Sequence, residues 1–328
     1  MMDWEFVLVA GPYGETTEGP AWDGQALLFT HIIEGRMMRF DPQSGACSEH
    51  RTGTNHTNGL AFDADGRLYG CCSGGRSIVR FEPDGTTTVI IDQLEGQRIN
   101  TPNDLALDAQ GRVWFTNPWS ANNVDPGEQQ QMVHEEVLRA DPQPDGSWSV
   151  QRMTHDLTKP NGILVSPDQK TLYVAQSYSE PGQVRQLRAY PIQGDGTLGQ
   201  YTVLHQFAED HRGPQRGVDG MCFDSEGNIL ACAGWEQNGP GPLIYVFAPS
   251  GRVLETHPMP AEVNRATNCS FGDADLSTLY VTTGGGGHLF RVRNTGRQGW
   301  VLYPPACVFY KAKLALAPFS IGEHPSGA

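Results

Sequence analysis

Residues Asn103–Thr116 read NDLALDAQGRVWFT, a polar pair followed by an apolar run, an Asp-x-x-Gly turn and a second apolar run that closes on aromatics. Alternating apolar residues on either side of an Asp/Gly turn are the signature of a tight β-hairpin. The same pattern recurs along the chain, beginning at Glu18 (EGPAWDGQALLFT), Asn58 (NGLAFDADGRLYGC), Asn161 (NGILVSPDQKTLYVA), Asp219 (DGMCFDSEGNILACA) and Asn268 (NCSFGDADLSTLYVT). Six copies, 40 to 58 residues apart, match or exceed the length of a four-stranded propeller blade. Further strands are expected after several copies, at Ser77–Phe81, Glu136–Ala140 and Leu243–Phe247. Helical periodicity is essentially absent, because Gly or Pro interrupts nearly every apolar run. The expected fold is therefore all-β, a six-bladed β-propeller spanning residues 1–328 as one domain. A β-solenoid or sandwich explains six long, uneven, several-stranded repeats less well. Trp4–Val9 (WEFVLV) is the natural strand to complete the last blade, and the stretch around Val308–Leu314 is expected to be another strand or a cover.

Composition agrees with such a fold and excludes several functions. The 328 residues include 39 Gly and 23 Pro, the mark of a turn-rich protein. Against 37 acidic residues stand 23 basic ones, for a formal charge of −14. That charge repels phosphate backbones and anionic lipid, so neither nucleic acid nor membrane is an expected partner. Without a membrane-length apolar run or a leader-like N-terminal pattern, the expected address is cytoplasmic. Seven cysteines without CxxC spacing imply reduced, mostly buried thiols. Signatures of serine hydrolases, zincins, P-loop and Rossmann proteins are missing. His134 is expected to be an exposed loop residue, and Gly284–Gly287 a loose hairpin loop.

In a propeller the first strand of each blade lines the central channel, so the six starting residues meet around one axis. The set Glu18, Asn58, Asn103, Asn161, Asp219 and Asn268 offers two carboxylates and four carboxamides. Hard oxygen donors of this kind suit Ca²⁺, Mg²⁺ or Mn²⁺. The two carboxylates would repel each other unless a cation lay between them. A polar insertion, Ala121–Gln131 after Trp119, is expected to open near one face of the ring.

The strings EGPAW (18–22), TPNDLALDAQGRVWFTNP (101–118), KPNGILVSPDQKTLYVA (159–175) and GVDGMCFDSEGNILACAG (217–234) resemble the regucalcin/gluconolactonase (senescence-marker-protein-like) family of six-bladed propellers. More distantly they resemble diisopropyl fluorophosphatase. The resemblance implies that Glu18, Asn103, Asn161 and Asp219 hold one divalent ion, foremost Ca²⁺, with Mg²⁺, Mn²⁺ or Zn²⁺ as alternatives. It implies hydrolysis of a small ester, foremost a sugar-acid lactone, with Asp219 and Asn103 as catalytic residues. Asn103, Thr101 and Trp119 would contact the substrate. Thr101 stands where animal members carry a lactone-gripping arginine, and Phe115–Pro118 reads FTNP where many bacterial members read FTDP, so the pocket is expected to be altered. Phosphotriesterase activity and a non-catalytic calcium-holding propeller are the alternatives. A monomer is expected.

Overall fold

Asp63, Asp108 and Asp224 fix their hairpin turns in the same way. Asp63 Oδ1 accepts the N–H groups of Asp65 and Arg67, both at 2.9 Å, while Oδ2 accepts from Arg67 Nε at 2.6 Å. Asp108 repeats this with Gln110 and Arg112, and Asp224 with Glu226 and Asn228. Each side chain thus satisfies turn donors that the ladder cannot reach. The turn is closed by Gly66, Gly111 or Gly227, all at positive φ.

The computed structural model describes residues 3–178 and 180–303. Six antiparallel sheets of four or five strands follow one another along the chain, beside two short two-stranded ones, Gln93–Leu94 with Gln97–Arg98 and Glu209–Asp210 with Gly213–Pro214. The first, from the channel outward, comprises Thr17–Trp22, Leu27–His31, Arg36–Phe40 and Cys47–Arg51. The second runs Thr57–Phe62 to Thr87–Ile91, the third Leu105–Leu107 to Trp148–Arg152, and the fourth Pro160–Val165 to Thr202–Gln206. The fifth runs Val218–Asp224 to Val253–Pro258. In the sixth, Arg265–Gly272, Thr278–Gly284 and Leu289–Val292 are completed by Val7–Ala10 from the other end of the chain. The closing strand starts three residues later than expected; Trp4 instead stacks on His257 at 3.7 Å. Innermost strands pack against their neighbours in sequence, and the sixth packs back on the first. This is a six-bladed β-propeller. Its only helical element among the described residues is a 3-10 turn, Ala121–Asn123.

Alternation along each strand sends successive side chains into the interfaces on either side of a blade. In the third blade Val113 and Phe115 join a core with Tyr69 and Ile78 of the second, whereas Trp114 joins Ile163 and Leu172 of the fourth. Hydroxyls weld neighbouring blades at the channel. Thr30 Oγ1 donates to the Asn58 carbonyl at 3.0 Å, Ser73 Oγ to Pro102 at 2.6 Å, Thr116 Oγ1 to Asn161 at 2.8 Å and Thr267 Oγ1 to Thr17 at 2.7 Å. Ser177 Oγ makes the equivalent bond to the Val218 carbonyl.

Gly299–Trp300 pairs with the free edge of the innermost strand of blade five. From there the chain crosses to blade three, where Tyr303 donates to the Asp108 carbonyl. Residues 299–303 thus span one mouth of the channel. The expected strand or cover at Val308–Leu314 lies outside the described residues. His134 is exposed and Gly284–Gly287 joins two strands of blade six, as expected. The cysteines described are free. No helix among the described residues is long and apolar enough to cross a membrane.

Candidate active site

Five of the six innermost strands carry a β-bulge at the polar residue that opens the repeat. The register slips between Glu18 and Ala21, Thr57 and Leu60, Pro160 and Ile163, Val218 and Met221, and Ala266 and Cys269. A bulge re-aims a side chain, and here it turns Asn58, Asn161, Asp219 and Asn268 out of the ladder, while Glu18 is the last paired residue before its own slip, opposite Thr30. Asn103 differs: it precedes its strand, which begins only at Leu105. The glycine that follows four of these residues is required by its neighbour. A Cβ on Gly19 would sit 2.3 Å from the Asn58 carbonyl oxygen, one on Gly162 2.5 Å from that of Asp219, and one on Gly220 2.0 Å from Asn268 Cγ. The Glu-Gly, Asn-Gly and Asp-Gly pairs of the sequence are the contacts by which blades meet at the axis.

Glu18, Asn58, Asn103, Asn161 and Asp219 line one cavity of about 210 Å³, together with Asn123, Arg216 and Arg265. Asn268 is not part of that wall. It lies deeper, with Asp104, beside an apolar chamber of about 190 Å³ that Trp300 and Tyr303 border on the far side. An adjoining cavity of about 340 Å³ shares Asn103, Asn161, Asn123 and Arg216 with the first and adds Thr101, Trp119, Lys159 and Tyr178. Within it the Thr101 hydroxyl is already spent: it donates to the Pro118 carbonyl at 2.7 Å and accepts the Ser120 N–H at 2.8 Å. Thr101 shapes the 118–120 loop rather than offering a free polar atom. Trp119 is held by Glu135, which accepts its N–H at 3.0 Å, and by the Arg76 guanidinium 5.2 Å from its ring. The insertion folds back over the mouth. Its Asn123 carbonyl lies 2.9 Å from His56 Nδ1, and Glu128 pairs with Arg76 at 2.8 Å and Arg98 at 3.0 Å.

The electrostatics of the wall are unusual for so acidic a chain. Burial pushes the Glu18 carboxyl well above the usual range, and the neighbouring charges of Asp219 and Asp104 push the same way against the Gly19 N–H, 2.6 Å away. Burial also raises Asp104, to about 7, against the Leu105 N–H. Asp219 Oδ2 accepts from Arg216 Nη1 at 2.6 Å. On the Asp219 side a guanidinium of the chain itself already lies against the carboxylate. Arg216 and Arg265 escaped the sequence reading; the first was legible only as a basic residue three positions before Asp219.

Among the described residues no group of three or more His, Cys, Asp or Glu side chains could hold a metal ion. The donor set instead mixes carboxylate with carboxamide. Asn58 Oδ1 and Asn161 Oδ1 are buried with no hydrogen-bond partner. Buried polar atoms are rarely left so, and each such atom asks for a missing partner. Two orphaned oxygens beside a carboxylate fit a hard cation.

The sequence profile of the SMP-30/Gluconolactonase/LRE-like region matches residues 16–285. The chain belongs to this family. Among its relatives, a gluconolactonase from Zymomonas mobilis is 30% identical over 286 residues, covering 81% of this chain and 75% of the relative. A regucalcin from Danio rerio is 34% identical over 286 residues, covering 82% and 83%. The solved structure of a Xanthomonas campestris gluconolactonase superposes with a TM-score of 0.72 at 31% identity, covering 88% of this chain and 89% of that one. As an SMP-30/gluconolactonase family member, the protein stands among gluconolactonase-like lactonases and regucalcins. In this chain Thr101 is tied to the 118–120 loop and Arg216 is bound to Asp219.

Proposed function

We propose that this protein is a divalent-metal-dependent lactonase that opens a sugar-acid lactone. The observation that carries the reading is the pair of unpartnered buried oxygens, Asn58 Oδ1 and Asn161 Oδ1, in the cavity that Glu18 and Asp219 line. Relatives named gluconolactonase support the choice of substrate. Glu18, Asn103, Asn161 and Asp219 would hold the ion, foremost Ca²⁺, since all four offer hard oxygen. When bound, the ion supplies Lewis acidity toward the ester carbonyl.

The chain's own residues do the rest. Asn103 lines both cavities and binds the lactone where they join, its carboxamide N–H donating to the carbonyl oxygen as negative charge develops there. Asp219 takes a proton from a water molecule whose oxygen adds to the carbonyl carbon. The ring C–O ester bond then breaks, and the proton passes to the departing alkoxide oxygen to give the free hydroxy acid. Trp119 and Tyr178 wall the adjoining cavity and limit water around the sugar ring.

The test is a pH-stat assay of lactones and organophosphate triesters on wild-type and Asp219→Asn protein with Ca²⁺, Mg²⁺, Mn²⁺ or Zn²⁺ supplied. Lactones should be hydrolysed fastest, and Asp219→Asn should lose most of kcat while Asn103→Ala loses about 10²–10³-fold. Turnover in H₂¹⁸O separates base from nucleophile, because direct attack by Asp219 would leave ¹⁸O in its carboxylate. Preference for triesters, or binding without turnover, would transfer the site to a phosphotriesterase or to a calcium-holding propeller.

A further inference from the structure

Arg265 opens the innermost strand of blade six and faces the cavity that holds Glu18 and Asp219. Its guanidinium lies over Gly284, where a Cβ would come within 2.4 Å of Nε and 2.5 Å of Cζ. The missing side chain at 284 makes the seat for this group. Nη2 donates to Thr16 Oγ1 at 3.0 Å, and among the described residues no carboxylate forms an ion pair with Arg265. Burial and the nearby Arg216 work against its charge, and Asp219, Glu18 and Glu15 only partly offset them. A buried guanidinium near carboxylates but in no ion pair with the described residues keeps donors free for an incoming anion.

The charges of the wall point the same way. Glu18 and Asp219 are balanced by Arg216 and Arg265, so a divalent cation would leave the cavity with a net charge of about +2. One of the two guanidiniums is engaged by Asp219; the other offers N–H donors in a planar fork, which suits the paired oxygens of a carboxylate, sulfonate or phosphate.

Resting on the lactonase reading and naming its substrate class, we propose that Arg265, with Arg216 beside it, is the specificity-determining group for an anionic substituent on the lactone. The preferred substrates are acidic sugar lactones, which carry a second, charged oxygen group besides the ester. Hydrogen bonds from these arginines to neutral sugar hydroxyls would give no such preference.

The experiment has a kinetic arm and a binding arm. In the first, kcat/KM is measured for D-glucaro-1,4-lactone (carboxylate), 6-phosphoglucono-1,5-lactone (phosphate) and neutral glucono-1,5-lactone on wild-type, Arg265→Gln and Arg265→Lys proteins. One or both anionic lactones should be preferred by the wild type. Arg265→Gln should cut the anionic-to-neutral ratio at least about tenfold, as expected for a charge-assisted hydrogen bond, and Arg265→Lys should restore part of it. In the second arm, calorimetry compares glucuronate with glucose, which differ in one carboxylate and need no hydrolysis. Glucuronate should bind more tightly, the advantage shrinking in Arg265→Gln, in Gly284→Ala (which displaces the guanidinium) and in 0.5 M salt. A wild-type preference for neutral lactone, or a ratio indifferent to Arg265→Gln, overturns the proposal. If no lactone is hydrolysed, the lactonase reading fails alone, and the glucuronate advantage, present or absent, still decides for or against Arg265.

Discussion

Arg216 Nη1 lies 2.6 Å from Asp219 Oδ2, three residues along the same chain, so the carboxylate proposed to hold a metal already has a counter-ion. A divalent cation and this guanidinium must share Asp219 or compete for it, and like charges a few ångströms apart in a partly buried site repel. Arg216→Gln is therefore expected to tighten Ca²⁺ binding by about tenfold at low ionic strength, the gain shrinking with salt. Isothermal titration calorimetry reads this directly; unchanged or weaker affinity would mean that the ion pair positions Asp219 rather than competing for it.

Metal should stabilise the fold, because it binds the closed ring and not the unfolded chain. At 100 times Kd the gain is about 2.7 kcal/mol. Chelation should lower the Tm, and Glu18→Gln should blunt the response to added Ca²⁺. A Tm indifferent to both would leave Asn161 Oδ1 without the partner assigned to it.

The pH dependence of the metal-free protein has a definite sign. Asp104 is raised to about 7 in the fold, against about 3.9 in an unfolded chain, so the folded state binds its proton more tightly. Its stabilising contribution is complete below about pH 4 and is lost as pH rises through about 7. Glu18 acts in the same direction. In EDTA, Tm measured from pH 5 to pH 8 should therefore fall less steeply for Asp104→Asn than for wild type. Saturating Ca²⁺, which favours the ionised carboxylates, should flatten the wild-type curve as well. Parallel curves for the two proteins in EDTA would contradict the assignment.

Close approach at the axis gives a prediction about glycine. A methyl group on Gly220 would meet Asn268 Cγ at 2.0 Å, whereas one on Gly66, in a hairpin turn, meets nothing within 4 Å and suffers only from its positive φ. Gly220→Ala is expected to lose about 2–3 kcal/mol by overpacking, and Gly66→Ala about 1 kcal/mol by backbone strain. Urea denaturation of both variants ranks them; equal losses would argue that the blades can part at the axis.

Periodicity and turn chemistry made the ring legible in the sequence, because Asp-x-x-Gly hairpins and alternating strands are local. Glu18, Asn58, Asn103, Asn161 and Asp219 were legible for the same reason: each occupies the same place in its own repeat. What could not be read were features made by separate segments at once. Thr101 is two residues from Asn103, yet its hydroxyl is claimed by Pro118 and Ser120, which a loop brings back to it. Asn268 comes one residue late: the slip between Ala266 and Cys269 puts Thr267 where Asn58, Asn161 and Asp219 stand in their own blades, so Thr267 lines the wall and Asn268, at the place of the following glycine, lines the deeper chamber. Arg265 reaches the cavity only because blade six closes against blade one, and nothing in its own segment marks it. The Gly after the polar residue carried no meaning of its own in the repeat, whereas it is a contact surface for the next blade.

Closure of the ring by Val7–Ala10 also bears on how the molecule is born. The strand that completes blade six leaves the ribosome before those of blades one to five, and its partner, Leu289–Val292, is among the last described segments to follow. Until residue 265 is made the early blades stand as an open arc, with Glu18 already present and Arg265 not yet added. The cavity comes into being only when the arc shuts. Neither ion nor substrate can assist the nascent chain before that moment, so folding up to closure must be carried by blade-to-blade packing alone.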